Sequence, residues 1–276
     1  MINGNTSSLL IDWICPVNWS HPLNRGLAGW WMGVPGATGG PIMHDLTRRN
    51  HGVLTNMDPG TDWVASPYGP VLDFLAASSN YVAGTGVLPG GNLTIEGSCY
   101  VSTAGGKLFS LGSTGSTGEW LFINHSGFDA IDFNVENTAY SFYPVASTFL
   151  IDSWIWWCCT LNGTTGRMYV GAPGIPGVGF RDSGDQTLEA FTGNGNWNIG
   201  RWVLAGGATF TGKVQFTKVY SGAKSPAEAY QLFSQWQVGF PDLLNRRRTY
   251  VRGAAAGGNI PPFNNRRYNI WKTRAA

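Results

Sequence analysis

Charge is what this chain has least of: Asp, Glu, Lys and Arg make up 12% of its 276 residues, about half the usual share. Long solvated helices laced by i,i+4 ion pairs are therefore excluded. The surface has to be finished with Ser, Thr, Asn and Gly. Cysteine is also scarce. The four are Cys15, Cys99, Cys158 and Cys159, with no C-x-x-C spacing. Cys158 and Cys159 are adjacent, so on a strand they point to opposite faces and cannot share one metal easily. This predicts buried free thiols made in a reducing compartment, not a disulfide framework. Long apolar runs are missing too. The N-terminus has no basic region, and its apolar run at 9–11 is too short for a signal peptide. Nothing approaches the roughly 20 apolar residues of a membrane helix. Synthesis in a cytoplasm, without a signal peptide or a membrane partner, is expected.

Catalytic constellations are equally absent. His21, His44, His51 and His125 are scattered, and there is no G-x-S-x-G nucleophile elbow. The glycines follow neither a Walker nor a Rossmann spacing, and no repeat of 20–50 residues is present. Among the carboxylates, Glu96 falls on a strand with no acidic partner nearby, and Glu119 and Glu136 are isolated. Asp129 and Asp132 are three apart, which sends them to opposite faces of a strand. Paired-carboxylate chemistry, and hence an enzyme, is not expected.

What is present is a core. Apolar residues reach 43%, with 13 Trp, and 39 Gly supply turns. Short candidate strands fall at 26–32, 52–55, 71–74, 80–82, 93–102, 107–111, 119–124, 130–133, 140–143, 154–161, 167–170, 197–202 and 210–220. The stretch 93–102 reads as half-buried by its alternation, and WIWWCCTL at 154–161 as covered on both faces. Asn162-Gly163 heads a hairpin. Many short strands without intervening helices indicate an all-β fold, an antiparallel sandwich or jelly roll. One helix stands out at 226–237. Ser225 is its N-cap, Pro226 its first residue and Glu228 completes a capping box. Ala229, Leu232, Phe233 and Trp236 form one apolar stripe for packing on the sandwich, and Gly239 ends the helix.

Five segments, in order, resemble the laminin-G/concanavalin A-like lectin superfamily: GLAGWWMG at 26–33, HDLTRRNHGVLTN at 44–56, VLDFLAASSNYV at 71–82, SWIWWCCTLNGTTGRMYVGA at 153–172, and NWNIGRW with FTGKVQFTKVYSGAKSPAEAYQLF at 196–233. The resemblance implies a concanavalin A-like jelly roll over residues 26–239, with an N-terminal arm at 1–25 and a basic tail at 240–276. It also raises carbohydrate binding. Sugars stack on aromatic faces and bond to Asn side chains, so the candidates are Trp120, Asn124, Asn196, Trp197 and Trp202. The alternative for the tryptophans is the core, where large apolar residues mostly go. Several members bind calcium through rim-loop oxygens. Asp45 is the weak candidate here, with turn capping as its other reading. Asp58, Asp62, Asp182 and Asp185 are expected in loops. A late acidic position of the family falls near Gln215, which is neutral, so no metal or other cofactor is assigned.

The flanks resemble lectin-fold virion proteins of tailed bacteriophages: NWSHPLNRGLAGWW before the domain, FPDLLNRRRTYV after it. The charge is split accordingly. Residues 1–239 hold ten Lys/Arg and fifteen Asp/Glu, net −5, whereas 240–276 hold eight Lys/Arg and one Asp, net +7. The tail reads either as solvated or as an anchor on an acidic partner, through Arg246, Arg247, Arg248, Arg252, Arg266, Arg267 and Trp271. The expectation is a non-catalytic virion protein (capsid decoration, head fibre or accessory tail component). It would be homo-oligomeric, dock on a capsid or tail protein, and touch a host glycan. Its acidic body argues against a nucleic-acid partner.

Overall fold

The computed structural model describes residues 17–244, apart from 34–39, 85–87, 89, 104, 113–119, 127–129, 136–137, 145–150, 176, 192–194, 204–208 and 241, and apart from the side chains at 120–122 and 124–126. Strands β1 (Leu27–Met32), β2 (Ile42–Met43), β3 (Gly52–Thr55), β4 (Trp63–Ser66), β5 (Gly69–Phe74) and β6 (Tyr81–Gly84) come first. Next are β7 (Leu93–Val101), β8 (Lys107–Gly112), β9 (Trp120–Ser126), β10 (Ala130–Val135) and β11 (Thr138–Phe142). Then β12 (Ser153–Asn162), β13 (Thr165–Ala172), β14 (Gly179–Thr187), β15 (Asn196–Ile199) and β16 (Gly212–Ser221) lead to helix α1 (Pro226–Gln237). The all-β expectation holds: these strands form two antiparallel sheets stacked as a sandwich. One runs β14-β13-β12-β7-β16-β5-β4, with β1 on β16, and is called the helix-side sheet. The other, the far sheet, runs β11-β10-β9-β8-β15-β6-β3-β2.

The strand period of two sorts neighbouring residues into two apolar layers. Trp31, Trp157 and Cys159 face between the sheets with Phe74, Ile95, Phe133 and Trp197. Their sequence neighbours Trp30, Trp156 and Cys158 face outward, into a second layer beneath α1. Cys99, Cys158 and Cys159 are buried free thiols, and burial pushes all three up from the ordinary thiol range. The helix forms as its sequence demands. Ser225 Oγ accepts from Glu228 N, the Glu228 carboxylate accepts from Ser225 N, and Pro226 occupies the first turn. Its stripe of Ala229, Leu232, Phe233 and Trp236 is buried, and Gly239 follows with φ 75°.

Three expectations are corrected. β7 is not half-buried: both its faces are covered, and Thr94 and Glu96 are 0% exposed. The packing also runs past both expected boundaries. Val17 bridges Leu244, Asn18 N donates to Leu243 O at 2.9 Å, and Phe240 and Leu243 are buried in the outer layer. Finally, GFRDSGDQT forms β14, which had no apolar signal because it is an exposed sheet edge. Its Asp182 and Asp185 are therefore in a strand, where both bind Arg167 of β13, at 2.7 and 2.8 Å.

The outer layer seals an ion pair. Lys218 Nζ donates to Glu96 Oε1 at 2.8 Å, and both side chains are 0% exposed. Tyr220 Oη donates to the same oxygen at 2.9 Å, and Trp156 Nε1 donates to Oε2 at 3.0 Å. The ammonium lies 4.1 Å from the ring centroids of both Trp30 and Phe240, a cation–π arrangement in a desolvated site. Burial holds the Lys218 pKa below its usual value, against the pull of Glu96. Removing one member of such a pair strands a buried charge, at about 3–5 kcal/mol. Lys218→Met is therefore expected to lower unfolding free energy by that amount in denaturant titrations. Adding Glu96→Gln, whose carbonyl oxygen can accept from Trp156 Nε1 while its amide N–H donates to Tyr220 Oη, is expected to recover most of the loss.

Candidate functional site

Three of the five sugar-binding candidates, Trp120, Asn124 and Asn196, lie on β9 and β15 of the far sheet, and Trp202 follows β15. Register pairs Asn196 with Gly112, and Gly112 with Trp120. A second row joins Lys107, Asn124 and Asp132 across β8, β9 and β10. For Trp120 and Asn124 this backbone placement is the whole of what is described. Asn196 is exposed.

Trp197, the fifth, is corrected. It is 0% exposed and packs on Trp31 with ring centroids 4.1 Å apart. Gly84 and Gly52 make room for its indole: a Cβ on Gly84 would lie 1.8 Å from the ring. No sugar reaches it. The alternation of NWNI carries this information, since Asn196 and Asn198 must face opposite to Trp197 and Ile199.

Gly200 then turns the chain back over the sheet. Its φ is +85°, and a Cβ there would meet the Phe74 ring at 2.5 Å. Arg201 and Trp202 are held by neighbours on β8 and β15. Ser110 Oγ donates to Arg201 O at 2.8 Å, and Asn198 Nδ2 donates to Trp202 O at 3.2 Å. Trp202 is partly exposed, with Lys107 Nζ 6.0 Å from its ring centroid. Arg201 lies over Tyr81 of β6, 4.8 Å from the centroid. Burial lowers the Lys107 pKa, and Asp132 opposes that shift.

One further group belongs to this face. Asn134 of β10 shares a register row with Phe122, Ser110 and Asn198. It is 8% exposed, and its Nδ2, itself shielded from solvent, has no hydrogen-bond partner among the described residues. Asn134 to Asn198 spans three strand spacings, about 14 Å. The face thus combines an indole, donors at Lys107 and Arg201, and a carboxylate at Asp132. Lys107, Asn134, Asn198, Arg201 and Tyr81 were not singled out from sequence. The period of β8, β10 and β15 places the first three, but the turn at Gly200 that brings Arg201 onto Tyr81 leaves no periodic trace.

Asp45, the weak metal candidate, is corrected to a turn cap. Its Oδ1 accepts from Trp30 N and Thr47 N, and its Oδ2 from Thr47 Oγ1, Arg49 N and Asn50 N. Five donors occupy the carboxylate at a site 1% exposed, which leaves it no free lone pair for calcium. Asp58 and Asp62 likewise close their own turn. Among the described residues no group of three or more His, Cys, Asp or Glu is placed to hold a metal ion. Gln215, at the neutral family position, accepts from Trp236 Nε1 at 2.8 Å and so fastens the helix. Arg246, Arg247, Arg248, Arg252, Arg266, Arg267 and Trp271 lie outside the described residues.

No family model matches the chain, and no curated protein does. Solved structures do. The chain is similar to Trypanosoma rangeli sialidase in complex with 2,3-difluoro-KDN, at 13% identity and TM-score 0.52, covering 83% of this chain and 37% of that one. It is similar to the same sialidase without a named ligand, at 14% identity and TM-score 0.50, covering 79% and 34%. The chain thus spans about a third of the length of the sialidases it matches. It also matches domain 4 of AbnA, a GH43 extracellular arabinanase from Geobacillus stearothermophilus, in complex with arabinotriose. There the identity is 13% and the TM-score 0.50, covering 75% of this chain and 98% of that domain. At these identities the likeness shows the fold: a sandwich of the kind carried by glycan-processing enzymes.

Proposed function

We propose that this chain is a non-catalytic carbohydrate-binding module, with its glycan laid across β10, β9, β8 and β15. The observation that carries this reading is the partly exposed Trp202 indole with Lys107 beside it and Arg201 laid over Tyr81, on the outer face of the far sheet. An aromatic ring takes the C–H face of a sugar, and the surrounding donors take its oxygens. The fold likeness to an arabinanase domain solved with arabinotriose supports it. The non-catalytic part rests on the carboxylates. Glycoside hydrolysis uses two across one bond, and of the described carboxylates only Asp132 lies on this face. Glu96, Asp45, Asp182 and Asp185 are engaged in the fold.

A second reading sets the module on a tailed-phage particle, as a homo-oligomer docked on a capsid or tail protein through its terminal segments. The bridge between Val17 and Leu244 favours it. The described chain thus begins and ends side by side there. Residues 245–276 carry all eight Lys/Arg of the basic tail.

On a glycan array the full chain is expected to bind in the micromolar-to-millimolar range. Trp202→Ala should weaken binding at least tenfold, the equivalent of about 1.4 kcal/mol, with an unchanged far-UV circular dichroism spectrum. A blank array across bacterial and host polysaccharides would contradict the reading. For the second reading, deletion of 245–276, which spares the buried Phe240 and Leu243, should leave soluble protein absent from purified virions. Unchanged incorporation would rule out the tail as anchor.

A further inference from the structure

Helix α1 does not cover the whole outer face of the helix-side sheet. Beside Trp236 that face carries one row of side chains in register across four strands: Trp154 on β12, Tyr100 on β7, Lys213 on β16 and Asp73 on β5. All four are partly exposed. Tyr68, 38% exposed in the β4–β5 turn, meets Trp154 edge-on at 5.2 Å and stacks on Trp236 at 5.6 Å. Tyr100 lies 5.8 Å from Trp154. Lys213 Nζ sits 5.3 Å from the Tyr100 ring centroid and 3.9 Å from Asp73 Oδ2. Asp152 stands next to Tyr100 Oη, at 3.5 Å.

We infer that this row is a second carbohydrate-binding site, taking a neutral di- or trisaccharide. It has the two halves that a pyranose or furanose ring requires. Aromatic faces on Trp154, Tyr100 and Tyr68 meet the apolar C–H side, and Lys213, Asp73 and Asp152 reach hydroxyls. The row spans three strand spacings, about 14 Å, the reach of two to three sugar units. Its charges decide the class. Lys213 and Asp73 offset one another, so a uronate or sialate gains no net cation here, and Asp73 with Asp152 disfavours phosphate. A stable protein partner would want roughly 800 Å² with a core depleted of charge, and charge interrupts this row after its aromatic end. The rings are held rigidly for stacking, because Tyr68 rests on Trp236, which Gln215 fixes. The row lies on the opposite outer face of the sandwich from Trp202, so this site is separate from the one on the far sheet.

The test is isothermal titration calorimetry of the full chain with cellotriose, maltotriose, mannotriose and arabinotriose. Trp202→Ala protein is expected to keep binding at least one of them. Adding Trp154→Ala should weaken that binding at least tenfold. Adding Lys213→Met instead, which leaves the rings in place, should weaken it several-fold and guards against a misfolded Trp154 variant. Complete loss on Trp202→Ala alone overturns the second site and leaves the far-sheet site standing. Complete loss on Trp154→Ala alone, with none on Trp202→Ala, does the reverse. Residual binding unmoved by both Trp154→Ala and Lys213→Met, or no binding of any trisaccharide by the unaltered protein, also overturns the inference.

Discussion

A lysine and a glutamate with no access to water sit at the centre of the helix-side sheet, and the packing around them follows from keeping them dry and paired. Glu96 takes donors from β16 through Lys218 and Tyr220, and from β12 through Trp156. It thereby ties the three central strands of that sheet on their outer face. Desolvated charges are tolerated only with close partners and a tight cover. Trp30 from β1 and Phe240 from beyond the helix supply that cover. Phe240 thus ties the stretch after the helix to the fold, and Val17, Leu23 and Leu243 pack in the same outer layer.

That layer divides the labour between the two outer faces of the sandwich. Most of the helix-side sheet is committed to α1 and the two straps. The far sheet has no helix among the described residues, and its outer face is left to polar side chains and to the segment that Gly200 folds back over it. The polar surface also accounts for the low overall charge. Asn198, Ser110 and the single cations Lys107 and Arg201 surround the Trp202 indole without a strong field.

Much of this was legible in the residues. The capping box of Ser225, Pro226 and Glu228 and the stripe ending at Trp236 gave the helix to the residue, and the Asn162-Gly163 turn gave the β12–β13 hairpin. Paired tryptophans and cysteines announced strands covered on two sides. What escaped has physical causes. β14 carries no hydrophobic period, because an edge strand needs none. Glu96 looked like a solvent-facing residue, because a carboxylate neutralised by a lysine 122 positions away leaves no local mark. Trp197 and Trp202 are equivalent in composition. The alternation of NWNI and the space left by Gly52 and Gly84 send Trp197 inside, and the turn at Gly200 carries Trp202 to the surface.

The central claim is that the far sheet presents a glycan to Trp202 and its neighbours. Its most direct test is a two-dimensional amide and indole NMR titration of the chain with the tightest-binding glycan from the array. Saturable shifts are expected at Lys107, Asn134, Asn198, Arg201 and the Trp202 indole. Shifts elsewhere with none at those five residues would contradict the claim.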